Sequence, residues 1–417
     1  MFLRCWIAGL DTAQPLQSLA GTDLWAATIE LPRGSRIEYK FEVRLHGHRE
    51  LVLDPLNKVI AHDPFGANSV CQAWGYERPE WTMHDPDVRQ GAIDIRHITS
   101  DVFGDTRELQ VYLPARFRKK RRYPLLIVHD GIDYLRYAEL KTVLDNLISD
   151  LEIPPLIAVM THSPDRLNEY AGDDRHARHL ADELLPLIDA HYPLQDESRA
   201  RGLMGASFGG VAALHAAWRN PGVFDRLLLQ SGSFAFSDLG RHQRGPVFDP
   251  VVRFMNEFRE NPGIPAEQIY MSCGIYESLI YENRSLVPRL QEQGIDVRFD
   301  EARDAHNWEN WRDRLRNGLS TLFPGPVWMV YEITRHREER RHREERSDVA
   351  TSQRTGRSRG ARRARPYRHR EAAAGSRGDL VPTGRAWPCE IATALRASRR
   401  QSALRASRRS TALRASR

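Results

Sequence analysis

The chain has 417 residues, 41% of them apolar, enough for one large core and a smaller unit, and no run approaches the roughly 18 uninterrupted apolar residues of a membrane-spanning helix. The formal net charge of +6 would point to a polyanionic partner if it were evenly spread. It is not: from Arg335 onward there are about 24 Arg against about 8 acidic residues, so the tail is near +16 and the body near −10, and no nucleic-acid partner is expected of the body.

The opening stretch MFLRCWIAGLDTAQ lacks a basic start, an apolar run and a small-residue cleavage site, so a cytoplasmic location without membrane association is expected. Cys5, Cys71, Cys273 and Cys389 are far apart and show no metal-ligand spacing; they are expected to be reduced and structural, with no metal and no cofactor. Residues 1–85 contain the alternating runs LWAATIEL, RIEYKFEVRL and ELVLDP between Pro, Gly, Asp and Asn, which reads as a small β-sandwich. The chain opens directly in the strand-like LRCWIAGL, so one or two strands that would cover this edge are expected to be missing. The polar stretch YERPEWTMHDPDVRQG leads into a linker at 86–91.

Over residues 92–323, apolar runs predicted as strands (DVFGDTRELQVYLP, YPLLIVHD, PLIAVMTH, RGLMGAS, RLLLQSG, QIYMSCG and DVRFDEA) alternate with amphipathic helical stretches. That order predicts a doubly wound, mostly parallel α/β sheet covered on both faces. Residues 324–417 are Arg-rich and end in a nine-residue ALRASRRQS-like repeat that closes no helical face, so a disordered tail without function is expected. A nucleic-acid or membrane-surface arm is the alternative for this tail.

The chemistry concentrates at RGLMGASFGGVAALHAAW, where Gly205, Ala206, Ser207, Phe208 and Gly209 form G-x-S-x-G between a strand and a helix. A sharp turn there holds the Ser207 hydroxyl above the sheet, and the flanking glycines let strand and helix approach. A serine nucleophile needs a histidine base and an orienting carboxylate. His306 lies on the loop between the last predicted strand and helix, whereas His215 falls inside the elbow helix and His242 in a polar excursion. Glu277 follows its strand directly and is the favoured acid, with Glu282 and Asp304 as alternatives. The oxyanion donors are expected to be the backbone of Phe208 and that of Gly131 or Ile132, after the strand ending in His129 and Asp130, which are read as shaping the loop.

The segments VHDGIDYLRYAELKTVLDNLI, LIAVMTHSPDRLNEY, GASFGG, GIYESLIYENRSLVPRL and AHNWENWRDRL together resemble the enterochelin esterase-like family of α/β-hydrolases, related to esterase D, over about residues 92 to 323. The front segment is similar to the immunoglobulin-like domain that precedes the hydrolase in that family, and to glycan-binding modules of amylolytic enzymes. The resemblance implies serine hydrolysis of a small ester or lactone, such as a siderophore trilactone, with Ser207, Glu277 and His306 at the triad positions and no cofactor. It also makes Arg166 and Arg136 candidates for holding an anionic catecholate complex. The alternatives are an acetyl or feruloyl esterase acting on carbohydrate, and a non-catalytic glycan- or siderophore-binding protein. The oligomeric state is not legible.

Overall fold

A computed structural model describes residues 1–5, 7, 13–237 and 244–328, and the backbone of 387–394. In the front region eight strands form antiparallel pairs: β1 (Phe2–Cys5), β2 (Ala13–Pro15), β3 (Gln17–Ser18), β4 (Leu24–Leu31), β5 (Arg36–Leu45), β6 (His48–Val52), β7 (Ile60–Asp63) and β8 (Gly66–Gln72). One sheet runs β2-β1-β5-β8-β7, with β6 also on β5; a second contains β3 and β4. The two share a core in which Leu3 and Cys5 of β1 and Ile37, Tyr39 and Phe41 of β5 meet Ile29 and Leu31 of β4. Period-two alternation along β5 buries Ile37, Tyr39 and Phe41 on one face and sets Arg36, Glu38 and Lys40 on the other.

The linker is not loose. Asn146 donates to the carbonyls of Trp81 and Met83, and the Gly91 amide donates to Asp145. An eight-stranded sheet follows, made of β9 (Ala92–Ser100), β10 (Asp105–Leu113), β11 (Leu125–Val128), β12 (Ile157–Met160), β13 (Arg201–Ala206), β14 (Arg226–Gln230), β15 (Gln268–Gly274) and β16 (Asp296–Ala302), in the order β9-β10-β12-β11-β13-β14-β15-β16. The β9–β10 and β10–β12 pairs are antiparallel and the other five parallel, which is the expected mostly parallel α/β-hydrolase sheet.

The described helices are α1 (Gly131–Tyr137), α2 (Leu140–Ser149), α3 (Arg166–Glu169), α4 (Asp174–Arg178), α5 (Leu185–His191), α6 (Phe208–Arg219), α7 (Asp249–Glu260), α8 (Ile280–Gln291) and α9 (Trp308–Leu322). Alternate residues of the central strands point to opposite faces. Leu126, Val128 and Met204 pack with α1, α2 and α9, whereas Leu125, Ile127 and Leu203 pack with α5, α6, α7 and α8. None of the described helices is long and apolar enough to cross a membrane.

Three features differ from the sequence-based expectation. Ala92–Ser100 is an edge strand, missed because AIDIRHITS puts charged residues among its apolar ones. Trp387–Ala394, inside the segment expected to be disordered, pairs antiparallel with β4 across its whole length; WPCEIATA is the stretch of the tail that carries strand-forming residues. The remainder of 329–417 lies outside the described residues. Cys71 is disulfide-bonded, which corrects the expectation of four reduced thiols, because separation along a chain says nothing of proximity in space; Cys5 and Cys273 are buried free thiols.

β13 and α6 approach so closely at the elbow that a Cβ on Gly205 would fall inside the contact radius of the Gly209 backbone. Backbone cannot rotate away as a side chain can, so Gly205→Val should lower stability by about 3 kcal/mol or more. Urea unfolding of the variant against the parent measures this.

Candidate active site

Parallel strands of such a sheet present their C-terminal ends to ligand, and there the expected site residues gather. Ser207 follows β13 directly, with φ 56° and ψ −121°, a left-handed strained conformation held by its amide on the Gln230 carbonyl and by its own carbonyl accepting from the Ser233 amide. Its Oγ lies 3.1 Å from the Ser233 Oγ. Among the described residues Ser207 and His306 share no hydrogen bond, but both line one cavity of about 600 Å³.

His306 sits in the loop between β16 and α9, its Nδ1 2.7 Å from Glu277 Oε2. Glu277 is 3% exposed, and its other oxygen accepts from Ser231 Oγ at 2.6 Å and the Gly274 amide at 2.8 Å, with Asn310 Nδ2 at 3.5 Å. Trp311 fixes Ser231 through its indole N–H and stands edge-on to the imidazole, with ring centroids 5.0 Å apart. The carboxylate is therefore immobile, and its free oxygen faces the histidine. The two other candidate acids are engaged elsewhere: Glu282 pairs with Arg244, and Asp304 accepts from Arg36 and Asn307. His215, on α6, is paired with Asp174 of α4, and His242 lies outside the described residues.

Of the expected oxyanion donors, Phe208 opens α6 directly after Ser207, and Ile132 is in the first turn of α1, where amides have no partner within the helix. Gly131 is a correction: its amide already donates to the Thr161 carbonyl at 2.9 Å, so it is unavailable. His129 and Asp130 shape this loop as read. His129 Nδ1 is 3.0 Å from the Met204 carbonyl and Nε2 is 3.0 Å from His176 Nε2, while Asp130 takes Arg166 in a forked pair at 2.7–2.8 Å. Nδ1 donates to the carbonyl and burial keeps the His129 ring neutral, so its Nε2 accepts from His176. Arg166 lines the cavity; Arg136 is exposed in the last turn of α1, does not line it, and is dropped as a binding candidate.

Sequence reasoning missed the second wall. Glu38, Lys40, His62, Asp63 and Phe65 of the front sheets line the same cavity as Ser207 and His306. Arg36, 2% exposed, bolts this wall to the histidine loop: its guanidinium reaches Glu38 at 3.0 Å, Asn307 at 3.1 Å, Asp304 at 3.5 Å and also Glu309, while its amide donates to the Arg303 carbonyl. Beside it Ser35 Oγ and Tyr276 OH meet at 2.6 Å. Burial pushes Asp304 up to about 6, and Arg36 works against that rise. The signal was present in the alternation that places Arg36, Glu38 and Lys40 on one face of β5; such a face reads as solvated unless a partner surface is known. Among the described residues no three His, Cys, Asp or Glu side chains are grouped to hold a metal.

Residues 100–322 match the family described as "Putative esterase". The chain is 25% identical over 342 residues to the iron(III) enterobactin esterase of Escherichia coli K12, covering 74% of this chain and 82% of that one. It is 24% identical over 252 residues to the uncharacterized protein YjcH of Bacillus subtilis, covering 56% and 98%. Its fold is similar to that of the ferric enterobactin esterase from Salmonella typhimurium, with a TM-score of 0.64 at 21% identity over 77% of this chain and 88% of that one.

Two consequences are measurable. Arg36→Met leaves Glu38 and Asp304 buried without their counter-charge and should cost about 3 to 5 kcal/mol, read by urea unfolding. Burial pushes His129 down to about 4 from an ordinary 6.5. The unfolded imidazole therefore takes up a proton in that window which the folded one refuses, so stability falls as pH drops from 6.5 toward 4. His129→Gln should retain more of its neutral-pH melting temperature near pH 5 than the parent does.

Proposed function

The chain belongs to the Putative esterase family and is an esterase of the enterobactin-esterase-like kind; from that premise we propose that it cleaves a small carboxylic ester or lactone through an acyl-enzyme on Ser207. The observation that carries this reading is the 2.7 Å contact of His306 Nδ1 with a buried, fourfold-bonded Glu277, in the same cavity as a conformationally strained Ser207. With Nδ1–H donating to the carboxylate, the imidazole lone pair is on Nε2, available as a base. The Ser207 hydroxyl turns from Ser233 toward Nε2, loses its proton there and attacks the acyl carbon. The tetrahedral oxyanion that forms accepts hydrogen bonds from the Phe208 and Ile132 amides. Collapse expels the alkoxide, which takes the proton from the imidazolium; Glu277 stabilises that cation while it lasts. Water then repeats the sequence on the acyl-enzyme and frees the acid.

The front unit, read as an immunoglobulin-like sandwich, belongs to this site as a wall of the cavity rather than as a separate glycan-binding module. Enterobactin, named for the relatives, is one ester that this reaction would open, and Arg166 is the cation beside the nucleophile, already paired to Asp130.

Purified protein should turn over a short p-nitrophenyl ester and gain the mass of one fluorophosphonate adduct. Ser207→Ala should take no label and lose activity by about a thousandfold or more. Folded parent protein that neither turns over nor labels would overturn the reading.

A further inference from the structure

The cavity's charge bears on which esters enter it. Six ionisable side chains besides His306 and His62 line its walls: the carboxylates Glu38, Asp63, Asp130 and Asp133, against the cations Lys40 and Arg166. Asp130 and Arg166 cancel in a forked ion pair. Glu38 is held by Arg36 and by Asn68, and Arg36 already serves Asp304 and Glu309 as well, so it has no charge to spare for a ligand. What faces a substrate is therefore Lys40 against Asp63 and Asp133.

Asp133 is the informative one. It stands on α1 one residue beyond Ile132, partly buried against the cavity, and among the described residues no hydrogen bond or ion pair holds it; burial and the neighbouring Asp130 raise its pKa, while His162, Arg166 and Arg136 act in the opposite direction. Trp308 and Trp311 supply apolar wall to the same cavity. Among the side chains that line the cavity, an anion entering meets the Lys40 ammonium and the Asp63 and Asp133 carboxylates, and leaving like charges together in a partly dehydrated cavity is unfavourable.

We infer that the cavity selects esters without net negative charge, uncharged or amine-bearing and with an aromatic or apolar body, and that Asp133 is the residue that reads the charge. This rests on the esterase reading above for the identity of the site.

The test separates binding from chemistry. Equilibrium binding of three isosteric aryl amides, ending in a carboxylate, a methyl group and a quaternary ammonium, is measured on Ser207→Ala at low ionic strength; kcat/KM of the matching aryl esters is measured on the parent. The cationic and neutral ligands should bind at least about fivefold more tightly than the anion, with the gap narrowing as salt is added. Asp133→Asn should reduce the cation-to-anion affinity ratio by about fivefold, and the conservative Asp133→Glu should retain it. Anion binding equal to neutral, or a ratio unmoved by Asp133→Asn, overturns the inference even if every ester is hydrolysed. The predicted binding order without turnover of any ester would sink the catalytic reading and leave the selectivity standing.

Discussion

One guanidinium ties the two halves of this molecule into a single site. Arg36 is buried at the start of β5, yet its contacts belong mainly to the loop and helix start that carry His306: Asp304, Asn307 and Glu309. Burial alone would oppose its charge; the surrounding carboxylates hold it protonated. Asn307, which accepts from Arg36, also caps α9 by accepting from the Asn310 amide, and Asn310 in turn reaches Glu277 and the Ala305 carbonyl. The position of the imidazole is thus determined from both sides, by a carboxylate of the hydrolase sheet and by a cation of the front sheet. Buried networks of this kind are rigid because every unmade bond would leave a polar group without water.

Rigidity around His306 is matched by strain at Ser207. Ser207 occupies a conformation that side-chain-bearing residues rarely adopt, and it persists because β13 and α6 are pinned together through glycines and through two backbone bonds to the strand end beside them. Arg166, which lines the cavity together with Ser207, is neutralised by Asp130.

Much of this was legible in the chain. The seven strands named from the sequence are β10 to β16; the five inner ones, β11 to β15, read as apolar runs because a parallel sheet covered on both faces buries nearly every residue, and β10 and β16 at its flanks read by alternation. Ser207 was legible from glycine spacing, and His306 and Glu277 from where they fall relative to strand ends. What escaped has a common physical cause. Arg36, Glu38 and Lys40 alternate with buried residues in a pattern identical to that of a strand wetted on one side, and only the folded chain reveals that the wet side is an internal cavity. Gly131 was a plausible donor until the Thr161 carbonyl was seen to occupy it, and β9 escaped because an edge strand has no second covered face to enforce apolarity.

The β7–β8 turn holds a different kind of meaning. Phe65 is 94% exposed at its tip and still borders the cavity, while the turn's internal bonds run from its backbone to Asp63. A side chain so placed contributes to what the cavity admits and almost nothing to holding the protein together. Substitution in this hairpin can therefore reshape the cavity at negligible risk to folding, while Ser207 and His306 on the opposite wall keep their places.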